Sequence, residues 1–288
     1  MNEMKKRTAI GLILLLLAGL AACSGEPETE IRYLTESITT EMPATDYVTV
    51  TTFTFNEDWK ITGYASTVNG EETQRVTYEF DGEGNVIKET NVSGDTTSVS
   101  EYTYTFDADG NPLEIVQTKD GEAYLTTTRT YDAEGNLKTN DMEVPSYGYT
   151  CKYTYDTDGN ILSVVSAYSD GTAFTNEYTY DENGNELTST VMDTYTTYNT
   201  VAEYDEEGKA VQKTQYYEDG SVYQTVEYVY DGNSRTVTTY NADGITAGYQ
   251  VQEFDDHGNQ LSVASYTSDG ILQSRTSYTY VEAEVPVE

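Results

Sequence analysis

The chain has 288 residues, with 50 acidic against 15 basic side chains and a formal net charge of −35. A surface that acidic repels phosphate backbones, which excludes nucleic acid as a partner. One His, two Cys and one Trp among 28 Tyr and 22 Gly leave little material for a metal centre, a disulfide framework or acid–base chemistry. No catalytic residue and no cofactor is expected, and the chain reads as a non-enzyme.

Lys5, Lys6 and Arg7 precede an apolar run from Ala9 to Ala22. That run is too short to span a bilayer and has the size of a secretory h-region. It ends in Leu20-Ala21-Ala22-Cys23, which resembles a bacterial lipobox. The resemblance implies cleavage before Cys23, lipid on its thiol and acylation of the new N-terminus. Two or more chains anchor a protein stably. The membrane is then a partner through the anchor, and the location is extracytoplasmic, on the outer leaflet of the cell membrane or on an outer membrane. Residues 1–22 are read as the lipoprotein signal and 23–46 as the lipidated Cys with a flexible acidic tether rich in Ser, Thr and Pro. Residues 47–288 are read as the folded domain. Without the signal, 12 basic and 49 acidic residues remain, a charge of −37.

From Tyr47 onward the period is two, the strand signal. Aromatic-ended strands finish at Phe55, Phe80, Phe106, Tyr131, Tyr155, Tyr180, Tyr204, Tyr230, Phe254 and Tyr280, spaced 24 to 26 residues apart. Spacing that regular marks a repeat architecture. A second strand follows each turn, with an aliphatic at Ile87, Leu113, Leu162, Leu187, Val211 or Leu261.

Two turn chemistries alternate. The first is D-x-x-G, at Asp107 and Gly110, Asp132 and Gly135, Asp156 and Gly159, Asp181 and Gly184, Asp205 and Gly208, and Asp255 and Gly258. It fits a type I turn with Gly at positive φ in a bulge. The second, read as a two-residue type I′ turn, is Asn69-Gly70, Asp120-Gly121, Asp170-Gly171, Asp219-Gly220, Asp243-Gly244 and Asp269-Gly270.

The fold class is therefore all-β, a repetitive antiparallel hairpin meander of about 19 strands with a repeat of about 25 residues. At about 4.8 Å per strand such a sheet is about 90 Å long when flat. Twist makes sheets of that size curl. A curled or spiralling sheet with its Tyr and Leu face inside is expected, and a flat sheet wet on both faces is the other reading. Trp59 stands where the first turn wants Gly, and Val281 replaces the last Asp. Glu282, Glu284 and Pro286 are expected to blunt a free edge.

The run Tyr-x-Tyr-Asp-x-x-Gly, as in Tyr153 to Gly159 and Tyr178 to Gly184, resembles the YD-repeat (Rhs-type) family of bacterial surface and secreted proteins. The likeness runs from Phe53 to Tyr280. It implies large curled β-sheets acting as shells, adhesive surfaces or spacers, some of them linked to carbohydrate. The slot after Gly is Asn here (Asn111, Asn136, Asn160, Asn185, Asn259) where the family favours Arg. No toxin cargo is expected beyond the repeats, and the repeat region is small for a shell.

Several constellations have a plain reading beside a functional one. Asp107-x-Asp109-Gly and Asp156-x-Asp158-Gly suggest Ca²⁺ loops superficially. An EF-hand-type loop, however, needs Gly at position six, and here it falls at four, where the turn wants it. His257 occupies a free turn position and is read as solvent-facing. Cys151 alternates with Tyr149, Tyr153 and Tyr155 and is read as a small hydrophobe without a disulfide partner. The Tyr rows are either core or a platform for sugar rings. Met142 to Gly148 replaces an Asp-Gly turn and is the candidate specialised loop. The function expected is a binding, adhesion or spacer module with a carbohydrate, cell-wall or protein ligand. The alternative is a glycan-binding or glycan-hydrolysing lipoprotein working through the Tyr face.

Overall fold

The computed structural model describes residues 29–193 and 195–286; the leader and Cys23 lie outside them. Its strands are β1 (Thr29–Met42), β2 (Tyr47–Phe55), β3 (Ile61–Val68), β4 (Glu71–Phe80), β5 (Val86–Ser93), β6 (Thr96–Phe106), β7 (Pro112–Lys119), β8 (Glu122–Tyr131), β9 (Leu137–Val144) and β10 (Tyr149–Tyr155). The second half holds β11 (Ile161–Tyr168), β12 (Ala173–Tyr180), β13 (Glu186–Met192), β14 (Thr197–Tyr204), β15 (Ala210–Tyr217), β16 (Val222–Asp231), β17 (Ser234–Asn241), β18 (Thr246–Phe254), β19 (Gln260–Thr267) and β20 (Leu272–Pro286).

Each strand pairs antiparallel with the next, and β20 pairs back onto β1. The sheet is thus a closed 20-stranded barrel, which corrects the expectation of an open curled, spiralling or flat sheet. Closure removes the two edges that an open meander would expose to other chains. Thr40 Oγ1 and Thr276 Oγ1 meet at 3.0 Å across the seam, and Ser37 Oγ and Thr279 Oγ1 at 2.8 Å.

The extra strand is β1, from the segment expected to be a tether. Its register on β20 slips between Thr35 and Ser37. That bulge breaks the alternation into two short halves, Ile31-Tyr33-Thr35 and Ile38-Thr40-Met42, so no sustained period shows in the sequence. Glu282, Glu284 and Pro286 blunt no edge; they lie in register with Tyr33, Ile31 and Thr29.

Followed around the barrel, the registers return to β1 displaced by about 20 residues, a shear close to the strand number. That shear tilts the strands by roughly 37° and sets a mean backbone radius of roughly 17 Å. Inward side chains converge in a barrel and outward ones splay, so the better-covered face is the lumenal one. Tyr78, Phe80, Tyr178 and Tyr180 are half-buried, whereas Thr77, Glu79, Glu177 and Thr179 between them are exposed. The tyrosines line the interior. Glu79, Glu101, Glu177, Glu203, Glu227 and Glu253 stand on the outer wall. A Glu- and Thr-bearing exterior inverts the apolar band of lipid-facing barrels.

The second group of turns is also corrected. Only Asn69 and Asp120 hold positive φ, at 50° and 51°, as type I′ requires. Each is held there by a neighbouring strand: Val48 N donates to Asn69 Oδ1, and Val99 N to Asp120 Oδ1, at 2.8 Å. At Asp170 the closing bonds are Tyr168 N to Thr172 O and Gly171 N to Tyr168 O, with Gly171 at φ 91°. This is the type I turn with a Gly bulge again, and the turns at Asp219, Asp243 and Asp269 repeat it. Of the stretch Met142 to Gly148, Met142 to Val144 finish β9 and Pro145–Tyr147 form a 3₁₀ turn capped by Gly148, with a counterpart at Pro43–Thr45 between β1 and β2.

Candidate functional site: the barrel interior and its two rims

Strand direction sorts the turns onto two rims. One, the Asp rim, carries the D-x-x-G turns. In the turn from Asp107, Oδ1 accepts the amides of Asp109 and Asn111 at 2.9 and 2.8 Å, and Oδ2 accepts Asn111 Nδ2 at 3.0 Å. The same set recurs at Asp81, Asp132, Asp156, Asp181 and Asp255, and Asp205 keeps both amide bonds with Lys209 in the Asn slot. The Asn side-chain bond, with the turn amides, holds the carboxyls of Asp107, Asp132, Asp156, Asp181 and Asp255 below their ordinary value. Both oxygens serve the turn, and Ca²⁺ would have to displace those bonds. Among the described residues no group of three or more His, Cys, Asp or Glu is placed to hold a metal ion.

Inside, the stagger leaves carbonyls at the start of one strand beyond the reach of the next backbone. Tyrosine hydroxyls close these gaps. Tyr131, Tyr180, Tyr204, Tyr230 and Tyr280 donate to the carbonyls of Pro112, Ile161, Glu186, Ala210 and Gln260 at 2.7 to 3.1 Å. Where the strand ends in Phe106, Tyr104 two residues earlier bonds Val86 O at 2.7 Å instead. Burial pushes the phenols of Tyr78 and Tyr102 well above the usual range and that of Tyr153 up to about 12, with Cys151 adding to the last. Glu89 is raised by burial, against the opposing pull of Lys119. Cys151 is buried, free and 3.3 Å from Ser166 Oγ.

His257 is exposed, as expected, and it also has a partner. Its ring stacks on Tyr33 of β1 with centroids 4.6 Å apart, and its Nε2 lies 3.1 Å from the Tyr33 hydroxyl. That partner lies on β1, whose alternation is broken by the bulge after Thr35.

The chain enters β1 at the Asp rim. The opposite, far rim carries the two most exposed aromatics, Tyr147 at 69% and Tyr195 at 92%. Beside Tyr195, the rings of Tyr198, Tyr217 and Tyr223 cluster at 5.0 to 5.6 Å.

No family model matches the chain, and no curated protein matches it. Among solved structures it is similar to TcdB2-TccC3-Cdc42 at 17% identity and a TM-score of 0.43, covering 78% of this chain and 13% of that one. It is also similar to a porin-like protein from Bacteroides uniformis ATCC 8492, at 14% identity and a TM-score of 0.37 over 86% of this chain and 96% of that one. A porin-like protein from Bacteroides vulgatus ATCC 8482 matches at 13% identity and 0.37, over 86% and 98%. This chain spans about an eighth of the TcdB2-TccC3 chain.

Proposed function

We propose that this protein is a lipid-anchored extracytoplasmic barrel of YD-type repeats that works as a non-catalytic binding or spacer module. The carrying observation is the path of the chain. Five residues separate Cys23 from Thr29, and β1 begins at the Asp rim. A lipid on Cys23 then keeps that rim within roughly 20 Å of the bilayer, the reach of so short a segment. The far rim, with Tyr147 and Tyr195, is presented outward to a carbohydrate, cell-wall or protein partner. The polar exterior supports a barrel that stands on the membrane rather than in it. The pairing of His257 with Tyr33 supports a structural use for the one His.

In the competing reading the Tyr-rich interior is itself a glycan platform or hydrolytic site. The commitment of six hydroxyls to backbone carbonyls favours the structural role for those rows. Cys23→Ala should release the protein from membranes or leave an unprocessed precursor. Cleavage before residue 23 with retention in the detergent phase would refute the anchor. On a cell-wall and glycan binding screen, Tyr195→Ala should lose a partner while keeping its melting temperature. Loss at Tyr180→Ala alone, with the fold intact, would favour the interior.

A further inference from the structure

Trp59 is the only Trp in the chain and stands in the one D-x-x-G-like turn that lacks the Gly. The turn geometry is unchanged: Asn56 N donates to Lys60 O at 3.0 Å, Trp59 N to Asn56 O at 3.1 Å, and Asn56 Oδ1 accepts the amides of Asp58 and Lys60. Trp59 therefore sits at φ 59°, where the glycines of the other D-x-x-G turns lie between 78° and 90°. A bulky side chain in the left-handed region is a strained choice, and strain retained against an available Gly points to use of the side chain.

That side chain borders an open cleft of about 680 Å³ on the Asp rim. Its aromatic walls are Phe53, Phe55 and Trp59, with the Phe55 and Trp59 rings 6.3 Å apart at 56°. Glu36 and Glu57 supply carboxylates, and Val281 lines the cleft from β20. Lys60, the nearest base in sequence, sends its Nζ over Gly84 of the next turn. Aromatic faces attract cations, Trp most strongly, and the exposed carboxylates of Glu36 and Glu57 add a screened attraction. The chain's net charge of −35 adds to a field that concentrates cations.

We propose that this cleft binds an organic ammonium group, held by the Trp59 face and by Glu36 and Glu57. β1 supplies Glu36 and β20 supplies Val281, so the site exists only in the closed barrel. Two sources share this chemistry, a free quaternary amine and a choline lipid headgroup.

The test uses the soluble domain and the fluorescence of Trp59, with choline as the probe and neohexyl alcohol as its neutral carbon analogue. Phosphatidylcholine vesicles form a separate arm. Choline should quench saturably, and the neutral analogue should bind at least tenfold more weakly. Quenching by vesicles but not by free choline would assign the headgroup as the source. Glu57→Gln should weaken binding several-fold. By calorimetry Trp59→Gly should lose binding while keeping or raising the melting temperature, since it restores the residue the other turns use. Equal binding of the neutral analogue, undiminished binding by Trp59→Gly, or unfolding of Trp59→Gly would each overturn the proposal.

Discussion

At the residue scale the turns are built on carboxylates that face inward to their own backbone. Asp156 accepts Asn160 Nδ2 at 3.0 Å and the amides of Asp158 and Asn160 at 2.9 and 2.8 Å. Its folded pKa lies below the ordinary 3.8, chiefly through the Asn160 side chain. A depressed carboxylate stabilises the fold above its unfolded value, and that contribution disappears as pH falls through the lower folded value. Asp156→Asn should therefore melt below the wild type at neutral pH, and the gap should shrink as pH drops beneath 3.8. A gap independent of pH would mean that the charge plays no part. The same scale shows the exception: Trp59 keeps the turn at an expense of roughly 1–2 kcal/mol for a non-Gly residue in the left-handed region.

At the scale of the element, the unit is a hairpin whose last tyrosine bonds the strand before it. Tyr180→Phe removes only the hydroxyl and strands the Ile161 carbonyl. It should destabilise the domain by about 1–2 kcal/mol, the range for a part-buried acceptor left unpaired. Tyr178→Phe, on the same strand and face, should cost less. Equal losses in chemical denaturation would show that the rings, not the hydroxyl bonds, set the stability.

The hairpins from β2 to β20 were legible in the sequence because their alternation and turn residues are local. Three things were not. The bulge after Thr35 cut the alternation of β1 below recognition. The turn type at Asp170-Gly171 depends on whether Tyr168 or Ser169 opens the loop, a matter of register with the neighbouring strand. And Glu36 could not be placed beside Trp59 before β1 was known to lie against β2. Trp59 itself stood out as a missing Gly; its cleft did not.

For the whole molecule, closure converts a one-dimensional repeat into a ring. Its last pairing joins segments about 240 residues apart, for which no local pattern exists; Thr40 and Thr276 are separated by 236 positions. Ends that close on one another impose a shared radius on every repeat and bring the start of β1 at Thr29 and the end of β20 at Pro286 to the Asp rim. They also make β1 part of the domain, so removal of residues 29–42 opens the barrel and leaves two unpaired edges. The most direct measurement is a disulfide across that seam. Thr40 and Thr276 are cross-strand partners, and their Oγ1 atoms, 3.0 Å apart, stand close to where two sulfurs would bond. In a Cys151→Ser background, Thr40→Cys with Thr276→Cys should oxidise to an intramolecular disulfide in the folded monomer, seen by intact mass and non-reducing gel. In an open or spiralling sheet these positions lie at opposite ends of a span of roughly 90 Å. Two free, alkylatable thiols in the folded monomer under oxidising conditions would contradict the closed barrel.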